Sequence, residues 1–331
     1  MIFSTHITFS DNLSQAWDEL LAVSASNVPF LKYNYQKIWW ESRGANEWSM
    51  DSELVLITAE DAGILRGVAP LFRTPQGELH LVGSTEISDF LDFVVRPEDA
   101  PAFVAGVWDV LQKIDWKVMI LDNILETSPL IPAFQQTMAK ASLELNLEPV
   151  EVAPAITLDG DWEAYLATVK KKQRHEIRRK MRRADESELQ VTFKVIDQLE
   201  ELPQAIQDVF HLMRFDKEKK IFLTPAMESL FEKIAVWAFN EGILNLAFLE
   251  VDGKASACNF SFDYNNQIWL YNSGISAEYQ DLSLGWVILG KLIEWSTVEG
   301  KNRFDFMRGD EEYKYRFGAE NRQLYRLSIT R

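Results

Sequence analysis

Phe304-Asp305-Phe306-Met307-Arg308-Gly309-Asp310-Glu311-Glu312-Tyr313-Lys314-Tyr315-Arg316-Phe317-Gly318 is the stretch from which the rest of the chain is read. Its apolar start, Phe304 to Met307, reads as a short strand carrying one acid, Asp305. The strand stops on Arg308-Gly309, where glycine turns at little steric cost. A charged, aromatic turn follows, with Lys314 and Arg316 two residues apart. In open α/β sheets ligands sit outside the carboxyl ends of strands. An Arg-Gly stop with a lysine close behind is therefore a corner suited to an anion. On these residues alone, a sheet-edge turn with solvated charges is the plainer reading.

Upstream, Ile268 to Ile275 alternates like a half-buried strand, with Tyr271 and Asn272 near its end. Ser283-Leu284-Gly285 then opens a helix, with Gln280 just before it. Free N–H groups at a helix start hold phosphate oxygens, and glycine permits close approach. An ordinary serine N-cap is an equal reading of Ser283.

At 331 residues the chain is long enough for two domains or one large one, and its 47% apolar and 12% aromatic residues are enough for full-sized cores. One cysteine, Cys258, and four histidines exclude a disulfide scaffold and a cysteine-rich zinc site. No metal site is expected. The apolar runs are too short to cross a membrane, and Met1-Ile2-Phe3-Ser4-Thr5-His6 does not read as a signal peptide. A cytoplasmic address is the default expectation. A net charge of -16 argues against general affinity for DNA or anionic membranes. Yet Lys170 to Arg183 holds nine Lys/Arg and one Glu, a net of +8 in an otherwise acidic chain.

Both halves run helix, helix, strand, hairpin, strand, strand, helix, strand. Asp61-Ala62-Gly63 and Asp252-Gly253-Lys254 mark the matching hairpins. The order implies a duplication, with domains over 1–157 and 158–331. Pro149 to Ile156 reads as one strand closing the first half, and Gln323 to Ile329 as the last strand of the second.

Strand, phosphate-ready helix start, helix, then a strand ending in a polar corner resembles the acyl-CoA half of the GNAT acyltransferase fold. Asp305 to Gly318 is similar to the D-F-x-R-G-x-x-x-Y-K-x-x-[FW]-G signature of CelD-like acetyltransferases. These are related to the FemABX peptidyltransferases, which carry two GNAT-type domains in tandem. Looser matches are Phe30 with Trp39-Trp40-Glu41, Leu81-Val82-Gly83-Ser84 with Asp89-Phe90-Leu91-Asp92, the basic helix, and His211 with Arg214. The family's Ser-Pro-Gly is here Ser283-Leu284-Gly285.

The resemblance implies an α/β (α+β) fold of two tandem GNAT-like domains, each a mixed, mostly antiparallel sheet flanked by helices. It implies two strands splayed around a donor thioester, acyl-CoA or acyl carrier protein, in the second domain. The first domain would shape the acceptor side without a donor site of its own. By position, Lys314 would bind an anion or the reacting carbonyl. Arg308, with Gly309 and Tyr313, would hold substrate, the guanidinium as a fork for carboxylate or phosphate. Asp305 would orient Arg308 or the amine. Glu312 and His211 are base candidates, with an exposed glutamate and a satisfied histidine as the plainer readings. Arg214 lies within one turn of His211. Gln280, Ser283, Leu284, Gly285, Tyr271 and Asn272 would line the donor site.

On the basic helix Lys170, Arg174 and Arg178 share one face, with Ile177 and Met181 as a narrow apolar seam. A solvated face and a docking surface for an anionic donor are equal readings. Without interleaved aromatics, direct nucleic-acid reading is the least favoured. The expected reaction is N-acyl transfer to a small-molecule or glycoconjugate amine, in cell-envelope or polysaccharide metabolism. Aminoacyl transfer from tRNA and a non-catalytic binding protein on the same frame are the alternatives.

Overall fold

The computed structural model describes residues 1–83 and 85–331; Ser84, part of one of the looser matches, lies outside the described residues. Two compact units emerge, Met1–Val152 with Arg322–Arg331, and Ala153–Asn321.

The first unit contains β1 (Ile2–His6), α1 (Ser14–Leu21), α2 (Tyr33–Asn46), β2 (Glu53–Asp61), β3 (Ile64–Arg73), β4 (Glu78–Leu81) and β5 (Val94–Val95). It continues with α3 (Ala100–Leu111), β6 (Val118–Leu125), α4 (Leu130–Ala141) and β7 (Asn146–Val152). The second contains β8 (Ala155–Thr157), α5 (Trp162–Thr168), α6 (Lys171–Asp185), β9 (Val191–Val195), α7 (Leu202–Met213), α8 (Lys217–Phe222) and α9 (Pro225–Asn240). After these come β10 (Leu244–Val251), β11 (Lys254–Tyr264), β12 (Gln267–Ile275), α10 (Leu284–Val298), β13 (Arg303–Asp305) and α11 (Glu312–Arg316). The last strand, β14 (Gln323–Thr330), returns to the first unit.

The sheets run β1-β2-β3-β4-β6-β14-β7, with β5 on β3, and β8-β13-β12-β11-β10-β9. Each has one parallel pair, β4 with β6 and β12 with β13, and is otherwise antiparallel. The two hairpins are conformational copies. Ala62-Gly63 and Asp252-Gly253 both take φ 51° then 76°, the positive-φ pair that a tight two-residue hairpin needs. A matched turn, strand order and lone parallel pair make each unit the same mixed sheet with flanking helices.

Two expectations change. Pro149 to Ile156 is not one strand: β7 joins β14 in the first sheet, while β8 pairs with β13 in the second. The chain crosses from one core to the other at Ala153, so the expected boundary at 157/158 moves back to 152/153. Gln323 to Ile329 does not complete the second domain; β14 lies between β6 and β7 of the first. Alternation alone states that a strand has one buried face, not which sheet supplies it.

The core of the second unit is layered. α10 is buried nearly all round, at Leu284, Val287, Ile288, Leu289, Leu292 and Ile293. The basic helix α6 contributes only Ile177, Met181 and Ala184. Met181 rests where a side chain on Gly290 of α10 would sit, its Sδ 2.8 Å from the position of an added Cβ. Glycine at 290 thus sets how closely these helices approach.

Candidate active site

β12 and β13 pair over three rungs only, Gln267 with Arg303, Ile268 with Phe304 and Trp269 with Asp305. Past Trp269, β12 leaves β13 behind and runs on to Ile275. Its other edge stays on β11, with a bulge: Phe260 faces Asn272 and Ser261 faces Leu270, so Tyr271 is the extra residue of the ladder. The insertion places Leu270 and Ser273 on one face, beside Ser261 and Asn259.

After Asp305 the chain is steered away by its own side chains. Asp305, fully buried, accepts a hydrogen bond from the Met307 N–H at 2.9 Å. Met307 takes φ 62° and Gly309 φ 109°. Lys314 Nζ donates to the carbonyls of Met307 (3.1 Å), Arg308 (2.7 Å) and Gly309 (3.0 Å) and lies 2.8 Å from Glu311 Oε2. Its ammonium has three hydrogens, and this turn engages all of them. Lys314 is 2% exposed. The expected contact with an anion or reacting carbonyl therefore gives way to a buried lysine that holds the turn. Gly318, at φ 88°, ends α11.

Tyr313 of α11 and Phe317 just after it complete the lining of a cavity of about 240 Å³. Its lining comes from β11 (Asn259), β12 (Leu270, Ser273, Ile275), α10 (Gly285, Trp286, Ile288, Leu289) and α11 with the residue after it (Tyr313, Phe317). Trp286 and Phe317 meet with ring centroids 5.0 Å apart. Lys180 of α6 stands over Trp286, 4.1 Å from the ring centre. Gly285 sets how closely α10 approaches β12: an added Cβ would lie 2.7 Å from Ile275 Cδ1. Asn259 is 3% exposed, and its Nδ2 has no hydrogen-bond partner among the described residues.

Of the expected donor residues, Gly285 lines the cavity; Leu284, 2% exposed, belongs to the core instead. Tyr271 packs on Phe231, Phe260 and Phe262, outside the cavity lining. Asn272 accepts from the Ser273 N–H at 2.9 Å. Gln280 is exposed in a short 3-10 turn, and Ser283 precedes α10 at φ 54° without capping it through its side chain. Glu312 is exposed and bound to Arg316. His211 is exposed, its ring edge-on to Phe215, and Arg214 pairs with Glu228. Arg308 and Gly309 are half-buried on the locked turn, and Tyr313 is 38% exposed at the cavity.

The basic helix divides in two. Arg178 pairs with Glu163 of α5, and Arg174 reaches the Leu166 carbonyl at 3.4 Å. Lys171, Lys172, Arg182 and Arg183 are exposed with no carboxylate partner among the described residues. Ala184 packs in one cluster with Leu282, Leu284 and Val287, so the C-terminal turn of α6 lies beside the start of α10.

Sequence reading misses Lys219. It stands on α8, started by Asp216, whose carboxylate accepts from the N–H groups of Glu218 and Lys219. Lys219 Nζ donates to the Ser273 carbonyl at 2.6 Å and reaches Ser273 Oγ at 3.2 Å. Burial holds its pKa below the ordinary lysine value, opposed by nearby Cys258, Asp216 and Glu311. It sits in a run of charged residues, so nothing local sets it apart. Cys258 is buried, and burial pushes its thiol up to about 12; it is a core residue, not a nucleophile.

In the first unit β4 and β6 also pair in parallel over three rungs. Past them, the Leu91 N–H donates to the Asn123 carbonyl at 3.2 Å and Asn123 Nδ2 to the Ser88 carbonyl at 2.7 Å. Residues 88–91 are thus tied to β6 at Asn123.

Residues 171–315 match the family model described as acetyltransferase (GNAT) domain. Comparison with curated protein sequences finds no match. Among solved structures, FemX is similar at TM-score 0.70 and 12% identity, covering 100% of this chain and 98% of FemX. A tandem GNAT protein from the clavulanic acid biosynthesis pathway is similar at 0.54 and 13%, covering 99% and 98%. L-PGS from Bacillus licheniformis follows at 0.56 and 12%, covering 88% and 90%. Residues 171–315, all within the second unit, are thus similar to a GNAT acetyltransferase domain, and the whole chain has the fold of FemX and of a tandem GNAT protein.

Proposed function

We propose that the protein is an N-acyltransferase that moves an acyl group from a pantetheine thioester, on CoA or a carrier protein, to an amine. The observation that carries this reading is the apolar cavity past the last β12–β13 rung, roofed by Trp286 and Phe317 with Lys180 above. Its shape and walls suit an uncharged arm, and the exposed cations of α6 suit the phosphates that follow it. Much of the rate enhancement in aminolysis comes from holding a neutral amine against the thioester. Arg308 is assigned to a carboxylate or phosphate on the acceptor, a small-molecule or glycoconjugate amine of cell-envelope or polysaccharide metabolism. Acceptor recognition is assigned to the first unit. A cytoplasmic address goes with this donor class; among the described residues no helix is long and apolar enough to cross a membrane.

A second reading, aminoacyl transfer from tRNA, is favoured by the exposed cations of α6. Calorimetric titration separates the two. CoA and acetyl-CoA are expected to bind, and Trp286→Ala to weaken both about tenfold, the scale of one aromatic wall removed from a site. Failure of both, and of an acetylated acyl carrier protein, to bind would overturn the thioester reading. Aminoacyl-tRNA binding that falls steeply with salt would establish the other.

A further inference from the structure

We infer that the side-chain amide of Asn259 receives the acyl carbonyl oxygen of the donor and supports the charge that this oxygen gains during transfer. The inference deepens the thioester reading and rests on it. The walls of the cavity are mostly hydrocarbon and aromatic. Of its polar lining, Ser273 is already held by Lys219, and Tyr313 is partly in solvent. Asn259 differs from both: it is 3% exposed, lines the cavity and leaves Nδ2 without a partner among the described residues. Leaving a buried donor without an acceptor is unfavourable, and a fold tolerates it where a ligand supplies the acceptor.

The acceptor follows from the donor's chemistry. A charged nucleotide or carrier end stays in water among cations, so the acyl end is the part that reaches the mostly apolar cavity. Its one strong acceptor is the thioester oxygen. The amine nitrogen forms a bond to the carbonyl carbon, and the π pair moves onto that oxygen. Collapse restores the carbonyl, breaks the C–S bond and sends the pair to sulfur. The proton lost by nitrogen balances the thiol that leaves. Asn259 exchanges no proton; its N–H donates throughout, and the bond strengthens as the oxygen becomes anionic in a water-poor site.

The test compares three probes by calorimetry: acetyl-CoA, CoA, and S-ethyl-CoA, which lacks the carbonyl. The intact protein is expected to prefer acetyl-CoA over S-ethyl-CoA about tenfold, as one buried hydrogen bond allows. Asn259→Ala and the near-isosteric Asn259→Leu are expected to erase that preference while leaving CoA affinity within about twofold. Nδ2 has no partner to lose, and an unchanged thermal melting curve for each variant checks that the chain still folds. The thioester C=O stretch of bound acetyl-CoA should sit at lower frequency on the intact protein than on either variant. A preference that survives both substitutions, or an unshifted stretch, overturns the inference. If the intact protein binds none of CoA, acetyl-CoA and an acetylated acyl carrier protein, the donor reading itself falls.

Discussion

Lys314 shows how a residue can carry a family signature for a reason other than the obvious one. From sequence it stands as a cation for an anion or a reacting carbonyl. In the fold its three N–H bonds end on three consecutive carbonyls, beside the Glu311 carboxylate. Together with Asp305 it fixes a turn in which Met307 takes φ 62°, an expensive conformation for that residue. The buried charge is paired, and its removal would leave several carbonyls and a carboxylate unmet. Lys314→Met is therefore expected to cost about 3 kcal/mol of stability, read from chemical denaturation. Lys314→Arg should not restore it, because a planar guanidinium cannot direct three bonds along a tetrahedral ammonium's axes. A fully stable Lys314→Met protein would return the lysine to a role in binding.

At the scale of elements, the site is made by how three pieces end. β13 stops after three residues, β12 continues, and α10 begins tight against the free part of β12. Gly285 permits that last approach, since any side chain there meets Ile275. Gly285→Val is expected to shrink the cavity and lower acetyl-CoA affinity at least tenfold, while the fold loses about 1–2 kcal/mol. Calorimetry and denaturation would measure the two effects. Pairing the substitution with Ile275→Ala should recover part of the affinity, because the clash is with one flexible side chain. Unchanged affinity in Gly285→Val would separate the cavity from donor binding. The basic helix α6 shows the same division of labour. Ile177, Met181 and Ala184 attach it to the core, Arg178 is neutralised by α5, and Lys171, Lys172, Arg182 and Arg183 stay in water.

At the scale of the whole molecule, the route of the chain matters most. The first sheet is completed only when the last residues return and β14 is inserted between β6 and β7. A strand with ladders on both sides cannot be removed without exposing two rows of backbone groups. Deleting residues 322–331 is thus expected to unfold the first unit, although the whole of the second unit separates them in sequence from the rest of the first. Hydrogen exchange followed by mass spectrometry would show protection lost first in β6 and β7. Retained protection there would mean that β14 is peripheral to the first unit's stability.

Much of this is legible in the sequence, and the boundary follows physical lines. Local rules reach what local interactions decide: the two positive-φ hairpins, the glycine stop at 309, the α10 helix, the basic run of α6, and the duplicated order of elements. The Asp305–Gly318 signature falls on one self-contained turn, and two of its residues, Tyr313 and Phe317, line the cavity. Pairings between distant residues are what the sequence leaves open. Strand alternation is blind to which sheet a strand joins, so β8 and β14 are assigned to the wrong partners. The sum of charges is blind to pairing, so the buried Lys314 reads as available and Lys219 is hidden in a charged run. Asn259 carries no local mark at all. Its isolation arises only when a bulge at Tyr271, the end of β13 and the close approach of α10 together leave an unfilled space beside it, and packing of that kind exists only in three dimensions.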